Sequence, residues 1–448
     1  MVKRNQYFSA VRTGIWRAVL PMALAASASL PAYAQGAGSL QLHSLIVEQA
    51  KGDMLAFYTH RDGQVWIKNG QLDPAAHSLL KLVETAEFDG LDPAALGAPE
   101  LANAIALAEQ DASPANLAKA EVLLSHTLAT YAAAVSNTGN NSMFYEHDVL
   151  KPVEPAAHTV LDAAAAAPSL TDYVSHMQWM HPLYGQLRQK LMVQPDAATM
   201  MVPAKASLNR VRSLPAPPWA RHVVIDIASA RLFMYEGGQV VDSMKVVVGK
   251  ADTQTPIMAG YIRYATLNPY WNVPANLVQK TISKNVLDQG VTYLRTRGYE
   301  VISEFGPNAQ VLDPNSVDWQ AIRNGSVEQP VRQKPSAANA MGKVKYEFPN
   351  PMGIYLHDTP DKKLMLESAR QFSNGCVRLE DAARFGRWLF QGSLPTVGPS
   401  PEQRVDLAEP VPIYITYLTV QPSGDQLAVG PDPYARDRTD MPALARLP

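Results

Sequence analysis

The sequence predicts an α+β chain: a helical N-terminal module, then a mainly β domain with an insertion inside it. Three observations carry that prediction. Residues from about 46 to 200 are rich in Ala and Leu with helix punctuation; residues after 220 form apolar and alternating runs separated by turn residues; and a polar stretch from Pro274 to about Lys345 interrupts the strand series. The 448 residues leave room for about three domains. With 47% apolar and 18% charged residues, and 26 Gly and 35 Pro in no repeating period, the chain is neither collagen-like nor largely disordered.

Residues 1–34 read as a signal peptide: a basic start, an apolar run from Ala18 to Leu30, and Pro31-Ala32-Tyr33-Ala34 as an Ala-x-Ala cleavage site. A retained anchor needs about 20 uninterrupted apolar residues, whereas this run is shorter and Pro21 breaks it. The chain is therefore expected to be exported and cleaved, with no stable transmembrane anchor. The net charge of −2 becomes −6 once Lys3, Arg4, Arg12 and Arg17 are removed, which argues against a basic nucleic-acid groove.

After a lead at 35–45 that reads as flexible, the helical module fills residues 35–202. Asp73-Pro74 and Ser113-Pro114 each supply a cap followed by a helix-starting proline. The first helix carries Leu79, Leu80, Val83 and Ala86 and stops near Asp89-Gly90; the second carries Leu117, Leu124, Leu128 and Tyr131 at core spacing. Residues 203–219, with Leu214-Pro215-Ala216-Pro217-Pro218, read as a Pro-rich linker. The β domain then spans 220–420. Its strands are expected at 222–227, 231–235, 240–248, 261–267, 353–357 and 411–420, with a turn at Glu236-Gly237-Gly238 and the insertion at about 275–345. A short helix is expected at 380–390, and the Pro- and Asp-containing residues 421–448 read as a flexible tail.

The chain has one cysteine, Cys376, so no internal disulfide is possible. Its count alone allows either a reactive thiol or a small buried hydrophobe. Its neighbours add information. A thiol with a pKa of about 8.5 needs a base or a cation to become a nucleophile. Of ten histidines only His222 and His357 lie beyond residue 200, and His357, ending a strand in Ile354-Tyr355-Leu356-His357-Asp358-Thr359, is the better base. In Ser373-Asn374-Gly375-Cys376, glycine permits a tight turn, so the Cys376 amide and a neighbouring amide can face a developing oxyanion. Arg378 can bind a carboxylate or favour thiolate, or simply make a surface salt bridge. Together these residues describe a thiol acyltransferase or protease.

The motif His357-Asp358-Thr359, a gap, then Ser373-Asn374-Gly375-Cys376-Val377-Arg378-Leu379 resembles the signature of the L,D-transpeptidases, whose YkuD-type catalytic domain remodels bacterial peptidoglycan. Val247-Val248-Gly249-Lys250 with Thr255-Pro256, the segment from Leu267 to Pro274, Val317-Asp318-Trp319, and the segment from Tyr346 to Pro351 are similar to the long, YcbB-like branch. That branch has a helical scaffold domain before the catalytic domain and a capping subdomain inserted within it. The resemblance implies Cys376 as nucleophile, His357 as base and Gly375 as an oxyanion amide. It places Trp271, Asn272, Tyr355, Asp358, Ser373, Asn374 and Arg378 along the substrate groove, although Trp271 and Tyr355 read equally well as packed aromatics. It implies 3→3 cross-linking of peptidoglycan tetrapeptide stems through a Cys thioester, without a cofactor or metal, and carbapenems as covalent inhibitors. The same thioester could instead pass to water or to a lipoprotein.

Two departures stand out. Asn374 occupies a position where many members have His, and it cannot titrate. No peptidoglycan-binding module is evident between the helical module and the catalytic domain. Other chemistries lack their motifs: the single Ser-x-x-Lys, Ser78 to Lys81, has no Ser-Asp-Asn or Lys-Thr-Gly companion, and His-Glu-x-x-His, Cys-x-x-Cys and a P-loop do not occur. A papain-like protease would place Cys ahead of His, whereas here His357 comes first. An inactive wall-binding scaffold is the rival from another class.

Overall fold

The computed structural model describes residues 32–139, 142–194, 197–217, 220–394 and 398–437. Residues 1–31 of the expected signal peptide lie outside the described residues, as do 438–448. Helix Ala32–Gln49 occupies what the sequence suggested was a flexible lead, and it seats Leu42 and Ile46 in the core. Helices Asp53–Thr59, Ala75–Glu84, Ala98–Gln110, Pro114–Ser136, Ala157–Ala166, Leu170–Ser175 and Pro182–Val193 complete the bundle. One cap acts as expected, Asp73 Oδ1 accepting the Ala75 amide at 2.9 Å; Pro114 opens its helix after Ser113, but the Ser113 side chain makes no capping bond. Gly90, at φ +75°, ends the turn that follows Glu84.

Two buried carboxylates of this bundle are paired. Asp89 receives the hydroxyls of Tyr131 and Tyr184 and the guanidinium of Arg188, all inside the core. Glu121 accepts the amides of Val65 and Trp66 and the Tyr58 hydroxyl.

The expected linker at 203–219 is corrected by the ninth helix, Ala197–Val211, which runs through Pro203. Proline removes one helical hydrogen bond. Burial of Met200, Ala204, Leu208 and Val211, with tertiary bonds from Ser207 and Arg210, offsets that loss. Of the expected linker, the described residues 212–217 lie beyond the helix.

The β domain begins with the two-residue strand β1 (Phe144–Tyr145), contributed by the helical half, and continues with β2 (His222–Asp226), β3 (Arg231–Glu236), β4 (Gln239–Gly249) and β5 (Met258–Leu267). The insertion supplies β6 (Trp271–Asn272), β7 (Tyr299–Val301) and β8 (Val331–Gln333). The chain returns through β9 (Val344–Glu347), β10 (Leu356–His357), β11 (Gln371–Ser373), β12 (Val377–Leu379) and β13 (Gln403–Thr416), then ends in the hairpin β14 (Val420–Ser423) and β15 (Gln426–Val429). Neighbours run β9-β10-β12-β4-β3-β2-β13-β5, and β5 pairs back onto β9, so the sheet closes on itself. Closure pairs edges that would otherwise be open to other chains.

One hydrophobic core runs continuously from Leu42 through the bundle into the barrel. The insertion has its own small core of Val273, Val278, Ile282, Val286, Leu294, Val301, Trp319, Ile322 and Val331. The expected flexible tail is also corrected over 421–437: β14 and β15 pair with each other, and Tyr434 and Asp437 are buried.

Candidate active site

Strands β10 and β12 are parallel, with Leu356 opposite Val377 and His357 opposite Arg378. Strand side chains alternate, so Leu356, Val377 and Leu379 enter the core while His357 and Arg378 share the other face. One step back, the Val377 amide donates to the Tyr355 carbonyl at 3.1 Å, which sets Tyr355 beside Cys376. Tyr355, His357, Cys376 and Arg378 thus converge from two short strands that could not be joined by proximity in sequence.

His357 is 3% exposed and its Nδ1 lies 2.6 Å from the Asp358 carbonyl. A carbonyl only accepts, so Nδ1 carries the proton and Nε2 keeps a free lone pair. Burial and the neighbouring Arg378 charge bring its pKa down to about 3, so the ring is neutral at rest. The Tyr355 ring meets it edge-on, 5.7 Å between centroids.

Cys376 is partly exposed, and its Sγ lies 3.7 Å from the Gly353 carbonyl. Burial of the sulfur raises the thiol above its ordinary value, opposed by hydrogen bonds from the Tyr355 amide and hydroxyl and by the Lys345 charge. The resting pair is therefore thiol and neutral imidazole, with no preformed ion pair. Among the described residues no hydrogen bond joins His357 to Cys376; catalytic bonds of this kind commonly tighten only with substrate bound.

The loop carrying Cys376 is held by hydrogen bonds to its own backbone. Ser373 Oγ accepts the Gly375 amide at 3.1 Å and donates to the Cys376 carbonyl at 2.6 Å. Gly375 has φ +116°, a conformation that L side chains rarely adopt, and its carbonyl accepts from Thr255 Oγ1 at 2.7 Å. Two expectations are corrected here. The Gly375 amide is committed to Ser373, so it is not poised for an oxyanion; the Cys376 amide has no acceptor among the described residues and is the available donor. Ser373 is 2% exposed with its hydroxyl used twice, so it shapes the loop and does not line a groove.

Asp358 is likewise structural. Its carboxylate accepts the Lys343 amide at 3.0 Å and Lys362 Nζ at 2.8 Å, fastening the end of the insertion. It borders a cavity of about 1140 Å³ shared with Lys343, Lys362 and Glu380, whose lining does not include Cys376. Trp271 and Asn272 sit on β6, opposite Gln333 and Arg332 of β8. Trp271 packs on the insertion core against Tyr299, which is the packed-aromatic alternative; Asn272 is exposed, and no described contact brings either to Cys376. Asn374 is exposed, two residues before Cys376. Burial lowers the pKa of the Arg378 guanidinium, opposed by Asp361 and Cys376, and its buried Nε has no hydrogen-bond partner among the described residues.

The sequence reading did not single out Lys345 and Glu347, an ion pair on β9. Lys345 lies over the Tyr355 ring, 4.9 Å from its centroid. Alternation along β9 places both on the His357 side and Tyr346 in the core, a signal readable only once β9 is known to be a strand.

Residues 220–409 match the L,D-transpeptidase catalytic domain (YkuD), and residues 52–191 match a scaffold domain. A Haemophilus influenzae protein provisionally named an L,D-transpeptidase is 26% identical over 278 residues, covering 60% of this chain and 55% of that protein. The chain thus spans about half the length of this curated relative. Among solved structures, an L,D-transpeptidase from Mycobacterium smegmatis is 14% identical, covers 44% of this chain and 58% of its own, and has a TM-score of 0.22. A second, LdtMt1 in complex with imipenem, is 12% identical with the same coverage and TM-score.

Proposed function

We propose that this chain, whose residues 220–409 belong to the L,D-transpeptidase catalytic domain family and whose residues 52–191 belong to its scaffold domain, forms 3→3 cross-links in peptidoglycan through a thioester on Cys376. The observation that supports the reading is the pairing of β10 with β12, which brings the segment carrying a partly exposed Cys376 alongside the one carrying a buried His357 with a free Nε2.

In this reading the donor is a tetrapeptide stem. Cys376 Sγ attacks the carbonyl of its third residue while His357 Nε2 takes the thiol proton, so charge separates only as the tetrahedral intermediate forms. The Cys376 amide donates to the oxyanion; a donor of this kind contributes about 3 kcal/mol. Collapse breaks the amide bond, and His357 passes its proton to the departing D-alanine amine. The thioester keeps the acyl group activated, so no nucleotide is consumed. A side-chain amine of a second stem then attacks, gives its proton to His357, and sulfur leaves and is reprotonated. Arg378, with an unpartnered Nε, is suited to a stem carboxylate. The setting would be the periplasm.

The test incubates the protein and its Cys376→Ala variant with disaccharide-tetrapeptide and reads products by mass spectrometry. Dimers lacking one D-alanine, made only by the unaltered protein, support the reading. Tripeptide monomers alone reassign the acceptor to water. No change in either sample overturns stem cross-linking and directs attention to a lipoprotein acceptor or an inactive scaffold.

A further inference from the structure

We propose that Tyr434 is a positioning residue for the nucleophile, acting through Thr255, and that residues 430–437 clamp the active site. The inference rests on the acyl-transfer reading for its catalytic consequence and on geometry alone for the clamp. Tyr434 lies beyond the residues that match the catalytic domain.

The path begins at Gly249, where β4 turns into the loop 250–255. A Cβ there would stand 2.1 Å from the Thr253 carbonyl oxygen and 2.6 Å from the Thr255 nitrogen, so the chain folds back on itself with no slack. The Tyr434 hydroxyl bridges the two ends of this fold, donating to the Gly249 carbonyl at 2.6 Å and accepting the Thr255 amide at 3.3 Å. The fully buried Thr255 hydroxyl accepts the Gly249 amide at 2.9 Å and donates to the Gly375 carbonyl. Among the described residues nothing else bonds that carbonyl. Its orientation sets the peptide plane between Gly375 and Cys376, which contains the Cys376 amide that faces the oxyanion. Lys250 and Thr253 brace the same loop through the Ser373 carbonyl, at 3.0 and 3.2 Å.

Tyr434 is itself held from several sides. Its amide donates to the Tyr417 hydroxyl at 2.9 Å, the two rings stack at 5.6 Å, and Tyr417 in turn bonds Asp432. Arg436 reaches Gln254 Oε1 at 3.0 Å, a second grip on the loop. Asp437 pairs with Arg210 at 2.7 Å, so the clamp is anchored on helix Ala197–Val211 of the helical half.

The experiment compares Tyr434→Phe, which keeps the stacked ring, with Thr255→Val and the hydroxyl-retaining Thr255→Ser, in the full chain. Hydrogen exchange in peptides 249–256 and 373–377 should rise about tenfold or more in Tyr434→Phe and Thr255→Val, leave peptides of the insertion unchanged, and stay near the unaltered rate in Thr255→Ser. Carbapenem acylation of Cys376 at saturation should fall about tenfold in the first two, with half-saturation and iodoacetamide alkylation within about twofold, because alkylation needs no oxyanion donor. Unchanged exchange in both variants overturns the proposal. So does a parallel fall of acylation, alkylation and melting temperature, which would mean general destabilisation. If the unaltered protein is not acylated while exchange rises locally, the acyl-transfer reading fails and the clamp stands.

Discussion

Replacing Ser373 with Ala separates two accounts of the nucleophile loop. If Ser373 lines the groove, its loss weakens ligand binding and leaves the fold alone. In the structure it is buried, and one hydroxyl serves two main-chain groups, the Gly375 amide and the Cys376 carbonyl. Leaving a buried polar group unpaired costs about 1–3 kcal/mol. Two such groups give about 2–6 kcal/mol, and the low end applies because Cys376 is partly exposed and its carbonyl can take water. A cost of about 2 kcal/mol borne by the loop lowers the competent population, and with it the rate of acylation, roughly thirtyfold. The assay follows carbapenem acylation across concentrations by intact-protein mass, alongside urea unfolding. The expected result is a reduced rate at saturation, unchanged half-saturation, and a lower urea midpoint with unchanged slope. An unchanged midpoint with only a raised half-saturation would refute the reasoning.

Tyr355→Phe removes the hydroxyl that stabilises the thiolate of Cys376 and keeps the main-chain donor, so the pH dependence of iodoacetamide alkylation should move to higher pH, read from rates between pH 6 and about 10. His181 and His222 are buried at the junction of the two halves with Nε2 atoms 3.1 Å apart, and burial depresses both pKa values below 6.5. Their contribution to stability is complete above pH 6.5 and is lost as pH falls through the depressed values; His181→Asn should flatten that acid limb of the urea midpoint. Asp89→Asn leaves the Arg188 guanidinium uncompensated among Tyr131 and Tyr184, and calorimetry should register a loss of about 3–5 kcal/mol.

Cys376 and His357, the proposed nucleophile and base, could be picked out because a lone cysteine, a glycine before it and a histidine ending an apolar strand are local features. The fold class was legible for a similar reason: period-two alternation and capped, period-3.6 helices are written in neighbouring residues. What sequence could not supply is which partner each polar group finds. Ser373 and Gly375 sit where an oxyanion loop is expected, yet the hydroxyl turns back on the amide, a choice made by local geometry. Pro203 and the prolines at 422, 431 and 433 look like breakers, but burial around Leu208, Leu427 and Tyr434 outweighs their local cost. Asp358 belongs to the signature by position, and its task is set by Lys343 and Lys362, brought to it only by the return of the chain from the insertion.

The attachment of that insertion follows from the same pairing. It leaves the barrel after Leu267 and re-enters at Val344, and these residues are ladder partners of each other. The Asn268 amide bonds the Lys343 carbonyl at 2.9 Å, so the two crossings run side by side. With its own core, the insertion closes no barrel strand and contributes no ladder bond between β5 and β9. Substitutions within that core, such as Trp319→Ala, should therefore destabilise the insertion while the barrel and its Cys376 site stay folded, so that alkylation of Cys376 keeps its rate while processing of a large stem-bearing substrate falls. Because Asp358 fastens Lys343 and also orients His357 through its carbonyl, the foot of the insertion and the proposed base are held by one residue. A shift in how the insertion is seated would then reach Nε2 through a single peptide unit, the shortest route between substrate capture and proton transfer that this chain provides.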